Sequence, residues 1–370
     1  MDSCDVLVVG GGPAGSTCAG RLVRAGLDVV VIDKSSFPRD KVCAGWITPE
    51  VVRLLELDLP AYAKGRTLQP FTGFRTSTFT GEPRLTDFGR VISYGIRRCE
   101  FDAYLLERAA ARRVTSQPVT SFRRDGSFWI VNDTIRTRII VGAGGHFCPV
   151  ARWLNPRDGS ESVVVAQEVE VPLEDDQDDH IPAEAPELMF WSDLMGYGWC
   201  VRKGGYLNLG VGRLTSKQFP AAVKEFSERL VGRGIITAGA APKWKGHAYL
   251  LNRTSTRRIS GDGVLLAGDA AGLALAPSGE GILAAVESGA MAAEVISTAR
   301  ARPSIDSLDA YPARIAARFG PRASGRAPGV ALPHALLNAA GKLLLRSPWL
   351  TRRYLLEDWF LHMRRPGLTT

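Results

Sequence analysis

The pattern of apolar and polar positions is clearest at the start of the chain. Residues 6–9 are an uninterrupted apolar run, residues 10–15 form a glycine-rich turn, and an apolar, helix-like stretch continues to Gly26. A second apolar run, residues 29–32, ends at Asp33. Short apolar runs bounded by turn residues are typical of buried strands. The pattern therefore predicts a strand, a glycine turn, a helix and a second strand that is closed by an acid.

The glycine turn has the spacing Gly-x-Gly-x-x-Gly, which suits a bound dinucleotide in this strand and helix context. Gly10 allows the tight turn, Gly12 lets the backbone reach a pyrophosphate, and Gly15 lets the helix pack closely on the strand. The amides and positive dipole of the helix start would face the diphosphate, and Asp33 would accept hydrogen bonds from the adenosine ribose. A turn without ligand function is the alternative. The residues predicted to contact the dinucleotide here are Gly10, Gly12, Pro13, Ala14, Gly15 and Asp33.

A second glycine-rich segment lies far downstream. Residues 264–267 predict a short buried strand that runs into a Gly-Asp turn, and a long helix of small residues follows to about Ala299. Two such sites in this order resemble the glutathione-reductase-type FAD proteins, in the branch that contains aromatic hydroxylases, flavin halogenases and geranylgeranyl reductases. The resemblance implies FAD, with Asp269 on a ribityl hydroxyl and helix-start amides at the pyrimidine edge of the flavin. The contacts it implies here are Gly268, Asp269, Gly279, Gly281 and Ile282.

Two further segments resemble cofactor contacts of the same branch. Residues 33–45 look like the flavin-contacting loop of geranylgeranyl reductases, in which a cysteine followed by small residues lies beside the isoalloxazine. Residues 98–102 carry an Arg-x-x-Phe-Asp arrangement, which in the family puts the arginine by the FAD diphosphate; a plain surface arginine is the alternative. The contacts that the resemblance implies here are Lys34, Arg39, Cys43, Ala44, Gly45, Arg98, Val119 and Gly144.

Four residues are candidates for catalysis. Residues 196–212 resemble a sheet motif of the same group, in which a tyrosine and a tryptophan line the substrate cavity above the flavin, here Tyr197 and Trp199. Cys43 would either protonate a substrate carbon or pack against the flavin ring, because the reactivity of a thiol depends on its environment. Glu280, where a helix begins near the flavin, would be either a proton donor or a carboxylate that stabilises the helix dipole.

Departures from the family pattern bear on the reaction. Relatives usually carry an aspartate where this chain has Gly144, and halogenases carry Trp-x-Trp-x-Ile-Pro where this chain has Tyr197-Gly-Trp199-Cys-Val-Arg202. We therefore favour reduction or dehydrogenation of a carbon–carbon or related double bond in an apolar small molecule. The alternatives, in order, are a flavin monooxygenase, a halogenase and a non-enzymatic FAD-containing binding protein. The chain has one complete dinucleotide fingerprint, so NAD(P)H, if used, would bind transiently as electron donor or be replaced by another donor.

The predicted fold class is α/β, with a glutathione-reductase-type Rossmann FAD domain interleaved with a sheet-rich substrate domain, plus C-terminal helices. The discontinuous FAD domain comprises residues 1–70, 95–160 and 250–325. Residues 71–94 and 161–249 form the substrate domain, with strands at 74–79, 90–94, 163–171, 187–191, 198–201 and 206–211 and a helix from Ser216 to about Leu230. Residues 326–370 form the C-terminal helices.

Composition adds little to this picture. The chain has 370 residues, 45% of them hydrophobic, and a formal net charge of +8, but the basic residues are spread out and no nucleic-acid-binding module is visible. The N-terminus lacks the features of a signal peptide, so we expect a cytoplasmic protein. The six cysteines lack zinc or disulfide spacing, the five histidines show no pairing that suggests a catalytic triad or a metal site, and no metal is expected. The acidic run at residues 174–179 indicates a solvated loop, with a metal site as the alternative.

The end of the chain predicts two helices with apolar residues at helical spacing, among them Leu336, Leu343, Trp349 and Phe360. Arginines are interleaved with the second set, at 352, 353, 364 and 365. This combination favours packing on the flavin domain, and the alternative is peripheral contact with an anionic membrane that would deliver a lipid-like substrate. The sequence does not indicate an oligomeric state.

Overall fold

The structure, a computed structural model, describes residues 1–156, 163–173, 181–214, 218–237, 243–276, 278–300, 308–322 and 334–368. Its strands are β1 (Asp2–Val9), β2 (Val29–Ile32), β3 (Trp46–Ile47), β4 (Leu68–Phe71), β5 (Gly73–Thr78), β6 (Arg84–Asp87), β7 (Ser93–Ile96), β8 (Arg112–Val114), β9 (Phe122–Asp125), β10 (Phe128–Val131), β11 (Ile135–Gly142), β12 (Val163–Pro172), β13 (Glu187–Phe190), β14 (Gly196–Lys203), β15 (Tyr206–Arg213), β16 (Lys245–Leu250), β17 (Ser260–Gly261) and β18 (Val264–Leu266). Its helices are α1 (Pro13–Arg24), α2 (Pro49–Leu54), α3 (Leu59–Ala63), α4 (Arg98–Arg108), α5 (Pro149–Leu154), α6 (Phe219–Gly232), α7 (Ile282–Arg300), α8 (Ala310–Phe319), α9 (His334–Arg346) and α10 (Pro348–Leu350), with a 3-10 helix at Gly268–Ala271 and a π-helix at Thr351–Phe360.

The first sheet is the core of the cofactor domain. Its order is β17-β18-β11-β1-β2-β8, and strands β18, β11, β1, β2 and β8 run parallel, while β10 and β9 extend β11 as an antiparallel hairpin. All four residues of β2 are buried, as expected for a parallel strand covered on both faces. Ligands of such sheets bind outside the carboxyl ends of the strands. The turns that follow β1, β2 and β11 therefore mark the cofactor edge.

Helix α7 packs tightly across the start of α1. A Cβ atom on Gly289 would lie 2.3 Å from the carbonyl oxygen of Ala14, so only a glycine allows this approach. By length and composition α7 is apolar enough to cross a membrane, with a mean hydropathy of 1.3 over Ile282–Ala299, but 83% of that window is buried inside the structure. It thus has the surroundings of a core helix.

The second sheet has the order β16-β12-β15-β14-β13-β5-β6 and is antiparallel except for the β13–β5 pair. One face packs against α6 through Cys200, Leu209 and Phe226. The other face carries Trp199 and Val201 and packs with the C-terminal segment. The sheet therefore has one structural face and one face that is turned toward the cofactor domain.

Some boundaries differ from the predictions. The strand expected at 90–94 begins at Ser93 and, as β7, pairs with β3 and β4 in a third, three-stranded sheet, while Ile92 donates its amide to the Phe71 carbonyl just before the strand. The helix expected from Ser216 is α6, which begins at Phe219. The acidic run at 174–179, Pro277, His180 and Ser216 lie outside the described residues. The α/β fold class is confirmed, and the domain limits remain predictions.

The C-terminal segment packs differently from our expectation. Leu355, Leu356 and Phe360 are buried, but they join Phe190 and Trp199 of the second sheet in one apolar cluster, rather than the core of the cofactor domain. Aromatic side chains on the open face of that sheet provide the apolar surface that these residues cover. Residues 355–361 are therefore part of the substrate half of the molecule, whereas Arg365 and Leu368 contact Glu287 and Glu50 of the cofactor domain.

Candidate active site

The glycine turn brings the start of α1 to the cofactor edge. A Cβ atom on Gly15 would lie 1.8 Å from the Gly10 carbonyl oxygen, which explains why the helix needs glycine at this packing point. A Cβ atom on Gly12 would instead meet Arg39 Nη2 at 3.5 Å and Asp102 Oδ2 at 4.0 Å. No side chain caps the start of α1, so its backbone amides are available to a ligand. The space beside them, here called the cradle, is lined by Arg39. Pro13 and Ala14, the first residues of α1, complete this turn.

Two arginines converge on one buried carboxylate beside this cradle. Arg98 donates Nε and Nη2 to the two oxygens of Asp102, both at 2.9 Å, and Arg39 Nη2 lies 3.3 Å from Asp102 Oδ2. Burial would lower the pKa of Arg98, but the Asp102 charge outweighs it and raises that pKa. The guanidinium is thus a fixed cation at a helix start, as a diphosphate requires.

Asp33 and its neighbours form the adenosine side of the edge. Asp33 Oδ2 accepts a hydrogen bond from the Gly11 amide at 2.8 Å, and Oδ1 accepts one from the Ser35 amide at 2.9 Å. Each carboxylate oxygen has a further lone pair, so a ribose hydroxyl still has an acceptor there. Lys34 is exposed, Val119 is half-buried against the cofactor-domain core, and Gly144 is exposed just after β11.

Asp269 has partners that sequence reasoning missed. His247 Nε2 lies 3.5 Å from Asp269 Oδ2, and Lys41 Nζ lies 2.9 Å from the same ring nitrogen. Burial would raise the pKa of Asp269, but His247, Lys41 and Arg98 together lower it to about 2. Asp269 is therefore an ionised acceptor, suited to a ribityl hydroxyl. The sequence favours a surface or hydrogen-bonded structural role for each histidine but did not predict this contact, because β16, which carries His247, belongs to the other sheet.

The loop before α7 is tied to the substrate sheet. Tyr197 donates its hydroxyl to the Ser278 carbonyl at 2.6 Å, and a Cβ atom on Gly281 would lie 3.3 Å from Asp269 Oδ1. A Cβ atom on Gly279 would lie 2.2 Å from the Tyr249 hydroxyl. Gly268 and Ile282 begin the 3-10 helix and α7 on either side of this loop. The predicted ribityl and pyrimidine contacts are thereby brought together.

The Cys43 loop lies between the two halves of the molecule. Cys43 is half-buried, and its Sγ accepts a hydrogen bond from the Gly45 amide at 3.4 Å. The Cys43 carbonyl accepts from Asn208 Nδ2 at 3.4 Å, and the Ala44 carbonyl accepts from Lys203 Nζ at 3.1 Å. The loop thus contacts the substrate sheet through its backbone.

A polar group on the sheet face makes these contacts, and sequence analysis did not identify it. Lys203 is fully buried and lies 2.5 Å from Glu170 Oε2, which in turn lies beside Arg97. Glu168 is also buried, and burial raises its pKa. The available signal was the pair of acids at alternate positions in the mostly apolar strand β12, which places both on one face.

Next to this polar group the same face is aromatic. Trp199 lies against Gly210, where a Cβ atom would come within 2.1 Å of the indole, and its Nε1 donates to Asn208 Oδ1 at 2.8 Å. Phe360 packs on Tyr197 with ring centroids 5.1 Å apart and on Trp46 at 5.5 Å. A cleft opens here, lined mainly by Val164, Phe190, Leu194, Tyr197, Tyr249, Leu251, Trp359 and Phe360, with Arg213 among its polar residues.

Glu280 contacts the start of α7 and the C-terminal segment. Its Oε1 accepts from the Leu283 amide at 3.2 Å in the first turn of α7, and its Oε2 lies 3.3 Å from His362 Nε2. Burial raises the pKa of Glu280 to about 8, and burial with the nearby Arg365 lowers the pKa of His362 to about 4. The carboxyl group therefore joins the start of α7 to the C-terminal segment.

The arrangement fits FAD along its whole length: an open glycine turn with two arginines for the diphosphate, Asp33 for the ribose, and Asp269 for the ribityl chain. Such a site beside an apolar cleft defines an FAD-dependent oxidoreductase. Residues 3–319 match the family described as FAD binding domain, and the chain belongs to this family, in its geranylgeranyl reductase-like branch.

Relatives and solved structures agree with this assignment. The chain is 31% identical over 344 residues to menaquinone reductase of Mycobacterium tuberculosis, a match that covers 86% of this chain and 81% of that protein. It is 29% identical over 318 residues to digeranylgeranylglycerophospholipid reductase of Methanothrix thermoacetophila, covering 80% and 78%. A geranylgeranyl bacteriochlorophyll reductase-like protein of Thermoplasma acidophilum shares the fold, with a TM-score of 0.73, 20% identity and coverage of 95% and 90%.

Proposed function

We propose that this protein reduces a carbon–carbon double bond of an apolar, lipid-like substrate. The observation that carries the proposal is the aromatic cleft, which lies on the same sheet face that holds the Cys43 loop. A cleft of Phe, Tyr, Trp and Leu side chains suits an isoprenoid chain or a quinone ring. Relatives named as reductases of menaquinone and of digeranylgeranylglycerophospholipid support the same substrate class.

FAD, when bound and reduced, supplies a hydride equivalent to one carbon of the double bond. The other carbon then needs a proton, and we propose that the Cys43 thiol donates it. Tyr197 suits this role less, because its hydroxyl already donates to the Ser278 carbonyl and burial raises its pKa well above the ordinary value. Glu280 caps α7 and faces His362, so we propose a structural role for it rather than a catalytic one.

Tyr197 would instead hold the substrate, and Trp199, which is buried outside the cleft lining with its ring 5.9 Å from that of Tyr197, would support it. Both rings are fixed by a hydrogen bond, from Tyr197 to Ser278 and from Trp199 to Asn208. Rings held in this way exclude water and orient an apolar chain without moving during the reaction. We propose that NAD(P)H, or another donor, reduces the flavin from solution and leaves.

An anaerobic single-turnover experiment tests the reaction class. The protein is reduced with dithionite, freed of excess reductant, and mixed with a menaquinone that carries an unsaturated isoprenoid side chain. We expect the flavin to reoxidise without O₂ and the product to gain two hydrogen atoms in its side chain by mass spectrometry. A product that forms only with O₂ and contains an added oxygen atom would identify a monooxygenase and overturn the proposal.

We also propose that the substrate is delivered from an anionic membrane surface. The C-terminal segment exposes Leu336, Leu343, Trp349, Tyr354 and Met363. Arg346, Arg352 and Arg364 are exposed on the same segment. Large apolar side chains beside arginines match the interface of an anionic bilayer, and the segment continues directly into Trp359 and Phe360 at the cleft. The protein would then be cytoplasmic and peripheral to the membrane.

Sedimentation tests this location. We expect the protein to pellet with phosphatidylglycerol vesicles at low salt, and less with phosphatidylcholine vesicles. The double variant Leu343→Ser with Trp349→Ser should stay in the supernatant, whereas Val231→Ser, which removes an exposed apolar side chain on α6, should behave as the wild type. The membrane contact is refuted if the double variant and Val231→Ser pellet with the vesicles to the same extent, or if the wild type does not pellet with them at all.

A further inference from the structure

Lys203 occupies an unusual position for a lysine. It is fully buried and lies on β14 at the same alternating face as Tyr197, Trp199 and Val201. Buried lysines are rare and need a partner, because removing an ammonium group from water costs several kcal/mol. The side chain points away from solvent toward the Cys43 loop, where a Cβ atom on Gly45 would lie 2.6 Å from its Nζ. An apolar residue such as Val201, two positions earlier, would avoid that desolvation cost.

The ion pair with Glu170 does not by itself account for the lysine. Glu170 Oε1 already accepts from Arg97 Nε at 2.8 Å, so the carboxylate keeps a cationic partner if Lys203 is removed. Burial would raise the pKa of Glu170, but Lys203 and Arg97 together lower it. Besides this ion pair, Lys203 donates a 3.1 Å hydrogen bond from Nζ to the Ala44 carbonyl, and its charge opposes the burial that raises the pKa of Glu168.

The neighbouring carbonyl of the same loop has its own donor from the sheet. Asn208 Nδ2 lies 3.4 Å from the Cys43 carbonyl, and Asn208 Oδ1 accepts from Trp199 Nε1 at 2.8 Å. The Cys43 amide in turn hydrogen-bonds to Glu168. The loop backbone is therefore held at consecutive peptide groups by residues on three adjacent strands, β12, β15 and β14.

We propose that Lys203 is a positioning residue that fixes the Cys43–Gly45 loop against the substrate sheet, with Asn208 as its partner in that task. The wall of the cleft and the loop that faces the flavin are then held in one arrangement, so that Cys43 keeps its place relative to the substrate. The role of Cys43 as proton donor rests on the proposed function. The attachment of the loop does not.

The test uses the full chain loaded with FAD and compares Lys203→Met with the wild type. Methionine keeps the length and apolar stem of lysine but cannot donate to Ala44. We measure the alkylation rate of Cys43 by iodoacetamide, located by peptide mass spectrometry, and the reduction potential of the bound flavin. Loss of one buried hydrogen bond should raise the Cys43 rate by roughly two- to tenfold and shift the potential. With menaquinone as probe, kcat should fall more than KM changes.

Arg97→Gln is the matched control, because it removes the other cation beside Glu170 without touching the loop. Its Cys43 alkylation rate should match the wild type. Asn208→Asp is a second variant in case Lys203→Met does not fold; it keeps an acceptor for Trp199 but cannot donate to the Cys43 carbonyl. Unchanged alkylation and potential in the variant that folds would mean that Lys203 is only a core ion pair. Absence of reductase activity in the wild type would refute the proposed function and leave the alkylation result standing.

Discussion

The diphosphate end of the cofactor site and the substrate cleft are built in opposite ways. The first consists of backbone and fixed charge, and most of it comes from the glycine turn and from Arg98 with Asp102 one helical turn away. The second consists largely of aromatic rings from distant segments, with Phe190 from β13, Tyr197 from β14 and Phe360 from the end of the chain. Backbone geometry admits few substitutes, whereas apolar rings replace one another at modest cost.

This difference predicts different responses to mutation. At the diphosphate end a single added side chain blocks the ligand, so binding is lost outright. In the cleft a changed ring alters the shape of the cavity, so the preference among substrates shifts while the cofactor stays bound. The variants below test that contrast, beginning with the largest expected effect.

Gly12→Val should abolish FAD binding. The protein should purify yellow with one FAD per chain, and the variant should be colourless, because a branched side chain at Gly12 fills the space into which the diphosphate must come. Flavin absorbance relative to protein measures the occupancy. Gly232→Val is the control, since a Cβ atom there meets nothing within 4 Å. Full occupancy in Gly12→Val would show that the diphosphate lies elsewhere.

Asp269→Ala should weaken FAD binding without abolishing it. The variant loses one charged acceptor for the ribityl chain, and His247 and Lys41 lose their anionic partner, so the affinity should fall roughly 10- to 100-fold. Titration of the FAD-free protein, followed by flavin fluorescence, gives the dissociation constant. Asp269→Asn keeps an acceptor, so its affinity for FAD should lie between that of the wild type and that of Asp269→Ala. An unchanged affinity in both variants would remove Asp269 from the site.

Much of the cofactor site could be predicted from the sequence because its parts are local. Gly12 and Gly15 lie three residues apart, and their spacing alone fixes the turn. Arg98 and Asp102 are four residues apart in one helix, so helix geometry places their side chains on the same face, within reach of each other. Asp269 follows a buried strand and begins a helical turn, which again is a short-range pattern.

The parts that sequence reasoning missed depend on long-range packing. His247 meets Asp269, and Lys203 meets Ala44, only because two sheets face each other in the folded chain. Phe360 was expected to pack on the cofactor domain or on a membrane, because helical spacing shows that a face is apolar but not what covers it. The alternating acids of β12 indicated a polar face, but not the loop that it holds.

Phe360→Ala should change substrate preference and leave FAD bound. The ring lies between Tyr197 and Trp46, so its removal joins the cleft to the space beside Trp46 and admits bulkier substrates. We expect kcat/KM to shift toward menaquinones with longer side chains, with a loss of about 3 kcal/mol in the free energy of unfolding. Leu361→Ala, buried but outside the cleft lining, is the control for stability alone. The same preference in both variants would exclude Phe360 from the cleft wall.

The smallest expected effect concerns the contact between Glu280, at the start of α7, and His362, in the C-terminal segment. Burial raises the pKa of Glu280 from 4.5 to about 8, so the folded protein holds a proton that the unfolded chain releases. This stabilisation is complete below pH 4.5 and is lost as the pH rises through about 8. His362 affects the stability at lower pH. Its pKa is lowered from 6.5 to about 4, so its contribution to the free energy of unfolding is present above pH 6.5 and is lost as the pH falls through about 4.

Between pH 6.5 and 8.5, therefore, Glu280 alone of this pair should change the stability. The free energy of unfolding of the wild type should fall by ~1–2 kcal/mol across that interval. In Glu280→Gln the amide oxygen still accepts from Leu283 but has no proton to lose, so this component of the fall should vanish. Urea denaturation at the two pH values measures the difference. If the variant and the wild type lose the same stability, Glu280 is already ionised in the folded protein across that interval, and its pKa is not raised.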